Sequence, residues 1–357
     1  MNFYNSIISI LNKKNKKVFK LIIIFLVFSM LLEALSIGMI LPVVSVLLNK
    51  KLKFFFIQYF EKLNLYNTDL NLTTIIIGIF IIVILLKNLF LIFNYYVQTK
   101  FMLFLKADIT QSLFNKYIKK NYNYLLSTNT SILMRNVTTE IGSFILFVSS
   151  YINIVAELMV IFGICILLLF LYTYETFFVI SFILLINFIF FILVKGKLAF
   201  LGKKREFYDG ELLKHLSQGF FAAKEVKLLN LEDSLINKVH HTLQNLIPIQ
   251  LFPLFIKGIT KYIFEILLVL MFSFLIFSLI NLGKEMEEII LIVGIYSVTA
   301  FRLIPGFVRI FTSLQEIKFR KNSFINLITE LNNNNQKPNN INFPIERKKK
   351  LNEKKNN

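Results

Sequence analysis

Four cations stand inside apolar runs of this 357-residue sequence: Lys87, Lys261, Arg302 and Arg309. A charge in such surroundings is costly, so it either serves a function or pairs with a carboxylate of its own chain. Counted from the outer end of their runs, Lys87 and Arg302 each lie about 15 residues in, roughly 22 Å at 1.5 Å per residue. Lys261 falls about one turn deeper, with Lys257 and Arg309 nearer the inner surface, where long side chains can snorkel outward. Two acids, Glu157 and Glu265, reach the same depth as Lys87, and Glu265 follows Lys261 by four residues on one helix. The four cations are candidates for lining a substrate cavity, and mutual pairing with these acids is the competing reading. Glu33, ahead of Gly38 and Pro42, is given no chemistry.

Nothing else in the sequence points to covalent catalysis. His215, His240 and His241 fall in segments without a serine or carboxylate arrangement recognisable by spacing, and Cys165 is the single cysteine. No metal site, disulfide framework or nucleophile motif is expected. The stretch GKLAFLGKK (196–204) has five residues between its glycines and Lys where magnesium would need Ser or Thr. It is not a phosphate-binding loop of the G-x-x-x-x-G-K-[ST] kind.

These residues need a membrane scaffold to position them. The sequence is 56% hydrophobic and 17% charged, with a mean hydropathy of +0.65, more apolar surface than one soluble core can bury. Its net charge of +19 sits in the gaps between apolar runs and in the tail. No basic stripe runs among aromatic residues, so nucleic acid is not the expected partner. The first apolar run follows Lys13, Lys14, Lys16, Lys17 and Lys20, and is too long for a signal-peptide core. Runs of about 20 apolar residues occur at 18–48, 72–104, 144–172, 176–195, 256–281 and 288–312. The resulting expectation is an all-α membrane protein of six transmembrane helices. The basic N-terminus (1–17), the loops 105–143 and 195–255 and the tail (332–357) fall on one side, which the positive-inside rule makes cytoplasmic. The outer segment KLKFFFIQYFEKL (51–63) has the composition of a helix lying in the headgroup region.

No proline occurs between Val43 and Ile247, so nothing stops the helices at the membrane surface. Helices over 72–121, 176–227 and 234–281 would each project far beyond a hydrocarbon core of about 30 Å, with Pro248 and Pro253 able to kink the last. Two cytoplasmic hairpins follow, tipped near 122–134 and 217–233. The second tip reads KEVKLLNLED (224–233), apolar contact points set among charges. A helix so far from lipid needs a protein to cover it, either the other hairpin or a partner.

With six spans, two inner hairpins and both termini inside, the sequence resembles the transmembrane domain of exporter-type ABC transporters over about residues 10–331. NTSILMRNVTTEI (129–141), with Arg135 and Glu140, is similar to the first coupling segment of that family. AAKEVKLLNLED (222–233), with Lys224, Glu225, Lys227 and Glu232, is similar to the second. EALSIGMILPVVSVLL (33–48) and AFRLIPGFVRIFTSLQEIKFR (300–320) look like bacterial lipid-linked oligosaccharide flippases. The resemblance implies a domain over 18–331 whose two coupling helices dock on a nucleotide-binding domain or subunit. It implies pairing with a second exporter half, as homodimer or heterodimer, in a bacterial inner membrane. It also implies that Lys87, Lys261, Arg302 and Arg309 belong to a basic belt for the pyrophosphate of a lipid-linked substrate, since Arg offers paired donors to phosphate oxygens.

ATP and magnesium are expected on the partner ATPase, with no cofactor on this chain. The Asn- and Lys-rich segment 332–357 stands where that family's ATPase domain begins, so a split, truncated or frameshifted gene or a separate ATPase subunit is expected. The alternatives are a remnant that no longer transports, and a polytopic membrane enzyme acting on lipid carriers.

Overall fold

The computed structural model describes residues 11–39, 69–171, 173–283 and 286–332, and no strand occurs among them. Six helices of 26 residues or more carry the fold: α1 (Lys13–Gly38), α2 (Asp69–Ile118), α5 (Ile141–Leu171), α6 (Thr173–Phe221), α8 (Glu232–Asn281) and α9 (Met286–Asn332). Three short helices mark the tips: α3 (Tyr122–Ser127), α4 (Thr130–Arg135) and α7 (Ala223–Leu228). A π-helical turn over Asn136–Glu140 joins α4 to α5, making one continuous rod from Thr130 onward.

Five stretches are long and apolar enough to cross a membrane: Asn15–Gly38, Ile76–Ile118, Thr130–Leu169, Glu232–Asn281 and Ile292–Leu331. The expected span at 176–195 lies in α6, and most of its side chains fall outside the described residues. The first expected span, 18–48, is longer than its helix. α1 closes at Gly38, with the Met39 N–H donating to the Leu35 carbonyl at 3.0 Å. The segment 51–63, residues 40–48 and the tail beyond Asn332 also lie outside the described residues.

Helices α2, α6 and α8 contain 50, 49 and 50 residues, about 75 Å each at 1.5 Å per residue. That is more than twice a hydrocarbon core of about 30 Å, so each must extend well into water. α8 continues through Pro248 and Pro253 without interruption. Helix α9 is the hub, packed against α5, α6 and α8, while α2 leans mainly on α1 and α5. Along α2, Ile81, Leu85, Leu89, Ile92 and Phe93 are exposed, as an apolar helix with only one packed side must be.

Two apolar cores stack along the bundle. The one nearer the tips gathers Phe19 and Leu26 of α1, Phe101 to Tyr117 of α2, Ile141 to Ile152 of α5 and Phe324, Leu327 and Ile328 of α9. Phe324 lies stacked with its ring centroid 4.1 Å from Phe147 and 5.5 Å from Phe144. The other core joins Ile37, Val160 to Leu168, Phe264 to Leu279 and Ile289 to Phe311. Helices α6 and α9 meet backbone to backbone at Gly202, where a Cβ would stand 2.1 Å from the Phe319 carbonyl oxygen. Only glycine fits this crossing.

Candidate functional site

The two cores are separated in α1 by Glu33 and in α5 by Glu157, and both acids are buried. Arg302 joins them: its Nε lies 3.0 Å from a Glu33 oxygen and its Nη1 3.5 Å from a Glu157 oxygen. Lys87 of α2 approaches the same Glu33 oxygen at 3.5 Å and donates to Ser36 Oγ at 3.3 Å. Arg309, two turns beyond Arg302 on α9, donates from Nε to the other Glu157 oxygen at 2.6 Å. Four helices are thus tied by three cations and two carboxylates.

Carboxylates in apolar surroundings are tolerable because each meets at least two cationic groups. Gly306 lies under Glu157, where a Cβ would stand 2.9 Å from its Oε2. The depths that the sequence assigns to Lys87, Arg302 and Glu157 do coincide. Lys261 and Glu265 are exposed on α8 and stand outside this network. Glu33 was given no role from the sequence, yet it links Lys87 to Arg302; its place five residues before the end of α1 holds no local pattern with either. Among the described residues the network keeps one positive charge in excess, and Arg309 is half exposed with a side-chain exposure of 48%.

A second polar layer lies on the side of the tips. Arg205 of α6 is buried and donates to Ser143 Oγ of α5 at 3.1 Å and Ser323 Oγ of α9 at 2.7 Å. Arg320 donates to the same Ser143 at 3.1 Å and to Glu316 at 2.7 Å, and Lys257 lies 3.7 Å from Glu316. Ser143, Arg205, Lys257, Glu316 and Arg320 line a cleft of about 420 Å³ between α5, α6, α8 and α9. Burial first, and the neighbouring Arg320 second, lower the Arg205 guanidinium from its ordinary value. Burial raises the Asp209 and Glu206 carboxyls from their ordinary values, outweighing the opposing pull of Arg205 on Asp209, 3.7 Å away. Sequence reasoning did not find this layer. Its signal was the four-residue spacing of Arg205 and Asp209, and of Glu316 and Arg320, which sets each pair on one helix face.

The two tips differ in setting. In the first, the Asn129 side chain accepts from the Ser131 N–H at 3.0 Å and so caps α4, which packs against α6. Arg135 reaches Glu140 at 3.8 Å and Glu206 at 3.9 Å, its guanidinium passing over Gly210. Glu140 is 2% exposed. This pair therefore sits within the chain's own packing, not on an open contact surface.

In the second tip, α7 touches little but α6 and has no buried residue. It ends with Asn230 at φ 50°, the Leu231 N–H donating to the Val226 carbonyl at 2.9 Å and the Asn230 N–H to the Lys227 carbonyl at 3.4 Å. This left-handed cap closes short helices. Lys227 pairs with Glu232 at 2.9 Å across the turn. Lys224, Glu225, Phe220, Phe221, Leu228 and Leu229 are exposed.

His215 lies 3.8 Å from Glu211 on its own helix, and no group of three or more metal-ligating side chains occurs among the described residues. Comparison with curated proteins gives no match. Among protein families, the model of the ABC transporter transmembrane region matches residues 22–286, about three quarters of the chain and both tips.

Proposed function

The chain belongs to the ABC transporter transmembrane region family, and on that premise we propose that it is the membrane subunit of an ATP-driven exporter or flippase for a lipid-linked saccharide or a related amphipathic lipid. It is a transport domain of an integral membrane protein. In the proposed assembly two such halves enclose a cavity, both termini face the cytoplasm of a bacterial cell, and a partner domain or subunit binds ATP and magnesium. The second coupling segment, with Lys224, Glu225, Lys227 and Glu232, docks on that partner. Arg135 and Glu140 hold the first segment in place from within. Nucleotide-driven closure draws the tips together, and the long helices carry the movement to the membrane.

The observation that carries the substrate reading is the surplus cation of the intramembrane network. A purely structural set of charges is satisfied by neutrality, whereas here three cations face two carboxylates. The half-exposed guanidinium of Arg309 keeps donors for an anion such as a lipid pyrophosphate. Lys87 and Arg302 support the same site, and Lys261 serves it only if the assembled cavity brings α8 round to face it.

Arg309→Gln tests this reading in proteoliposomes containing the subunit and its ATPase. Stimulation of ATP hydrolysis by a pyrophosphate-linked lipid is expected to fall at least tenfold, with assembly unchanged. Equal stimulation in the variant would remove Arg309 from the substrate site and favour the network as a structural fastening alone.

A further inference from the structure

Where α6 leaves its apolar stretch FFVISFILLINFIFFILV (177–194), Lys195, Lys197, Lys203, Lys204 and Arg205 follow within eleven residues. At this level α6 and α8 part to leave a groove of about 530 Å³. Its membrane end is apolar, formed by Phe252 and the exposed Phe255, while Tyr208 and Asn245 stand at its far end. Lys197 and Lys204, two turns apart on one face of α6, line its length. Lys197 Nζ lies 3.9 Å above the Phe252 ring, so its stem and head are already held along the groove wall.

The charge balance distinguishes this groove from the cleft beside it. In the cleft, Arg205, Arg320 and Lys257 each face Asp209 or Glu316. In the groove, none of the lining residues among those described is acidic. Its two lysines are both exposed and meet aromatic rings, Lys204 lying over Phe200 at 4.7 Å. A groove that is apolar toward the bilayer, cationic at the headgroup level and polar beyond matches one ligand in shape and in order of chemistry.

We propose that the α6–α8 groove binds an acidic glycerophospholipid of the cytoplasmic leaflet. Its phosphate lies between Lys197 and Lys204, an acyl chain lies against Phe252 and Phe255, and its head points toward Tyr208 and Asn245. Basic pockets between helices on the cytoplasmic side have this affinity because the leaflet supplies anionic headgroups at high local concentration. The bound lipid would fasten together the two helices that carry the second tip. This site is separate from the intramembrane network and does not depend on what the protein transports.

The test uses the full chain purified in detergent, with native mass spectrometry counting retained lipid during titration with phosphatidylglycerol or phosphatidylcholine. Phosphatidylglycerol is expected to be retained selectively, and Lys197→Gln with Lys204→Gln should weaken it about 30-fold, the combined effect of two lysines at an anionic surface. Lys195→Gln with Lys203→Gln removes the same charge off the groove and should leave retention unchanged. Arginine at positions 197 and 204 should restore it, which separates loss of the site from loss of fold. Equal retention of both lipids, or equal loss in the two glutamine pairs, would overturn the proposal. So would cross-linking of Leu251→Cys to its counterpart in a second copy with lipid excluded, since the groove would then be an interface between chains.

Discussion

The two hairpin tips occupy equivalent places in the fold and are built on opposite principles. The first is held by tertiary contacts: α4 packs on α6, and Arg135 is shared between Glu140 and Glu206. The second is held by local geometry alone, a left-handed Asn230 and the exposed Lys227–Glu232 pair. A tip whose charges are consumed inside its own chain transmits force, and a tip whose charges face water is available to a partner. In the assembly proposed above, the docking chemistry would therefore be concentrated at α7.

The sharpest way to break that contrast is charge reversal at the second tip. Lys224→Glu with Lys227→Glu is expected to abolish co-purification of the ATPase subunit while the unfolding midpoint stays the same. Retained co-purification would return the docking role to the first tip.

Removing Arg135 should do the reverse. Arg135→Ala leaves Glu140 buried without its cation, and neither Glu140 oxygen has a hydrogen-bond donor among the described residues. A loss of about 3 kcal/mol in unfolding free energy is expected, read by denaturant titration in detergent. Lys227→Ala, which breaks an exposed pair, should leave the same titration unmoved.

A smaller effect is expected at the cap of α7. Asn230→Val forces a β-branched residue to φ 50° and should cost about 1 kcal/mol, while Asn230→Gly should be neutral or better. Proteolysis at the second tip reads the difference. If Val is tolerated as well as Gly, the tip is shaped by something other than its own cap.

The smallest expected effect is that of pH, and it belongs to the layer behind the first tip. Glu206 and Asp209 have carboxyls raised above their ordinary 4.5 and 3.8, chiefly by burial. The folded state thus holds these protons more tightly than the unfolded chain. Acidification from neutrality should favour the fold as pH falls through the raised values, and the gain should level off below the ordinary ones. Glu206→Gln with Asp209→Asn should flatten that part of the stability curve.

The helical rods and their tips were legible because their signals are local. Apolar runs point to the spans, the long proline-free stretch permits helices of about 50 residues, and KEVKLLNLED sets apolar contact points among charges at the second tip. Equal depth placed Lys87, Glu157 and Arg302 together, since rise per residue is all that such counting needs. What the sequence could not supply was rotation about each helix axis. Lys261 shares nearly the same depth yet faces outward, and Glu33 faces inward to complete the network. The Ser143, Arg205, Arg320 and Ser323 layer escaped notice for the same reason, because it joins three helices far apart in sequence.

The crossing at Gly202 also has a mechanical meaning. With α6 and α9 in backbone contact there, α6 is a beam resting on a fulcrum. The arm toward the second tip, to Phe221, is about 29 Å long and the opposite arm, to Thr173, about 44 Å at 1.5 Å per residue. A rigid beam so mounted moves its outer end about one and a half times as far as its tip. A modest displacement at the tip is thereby geared up at the opposite end of the helix.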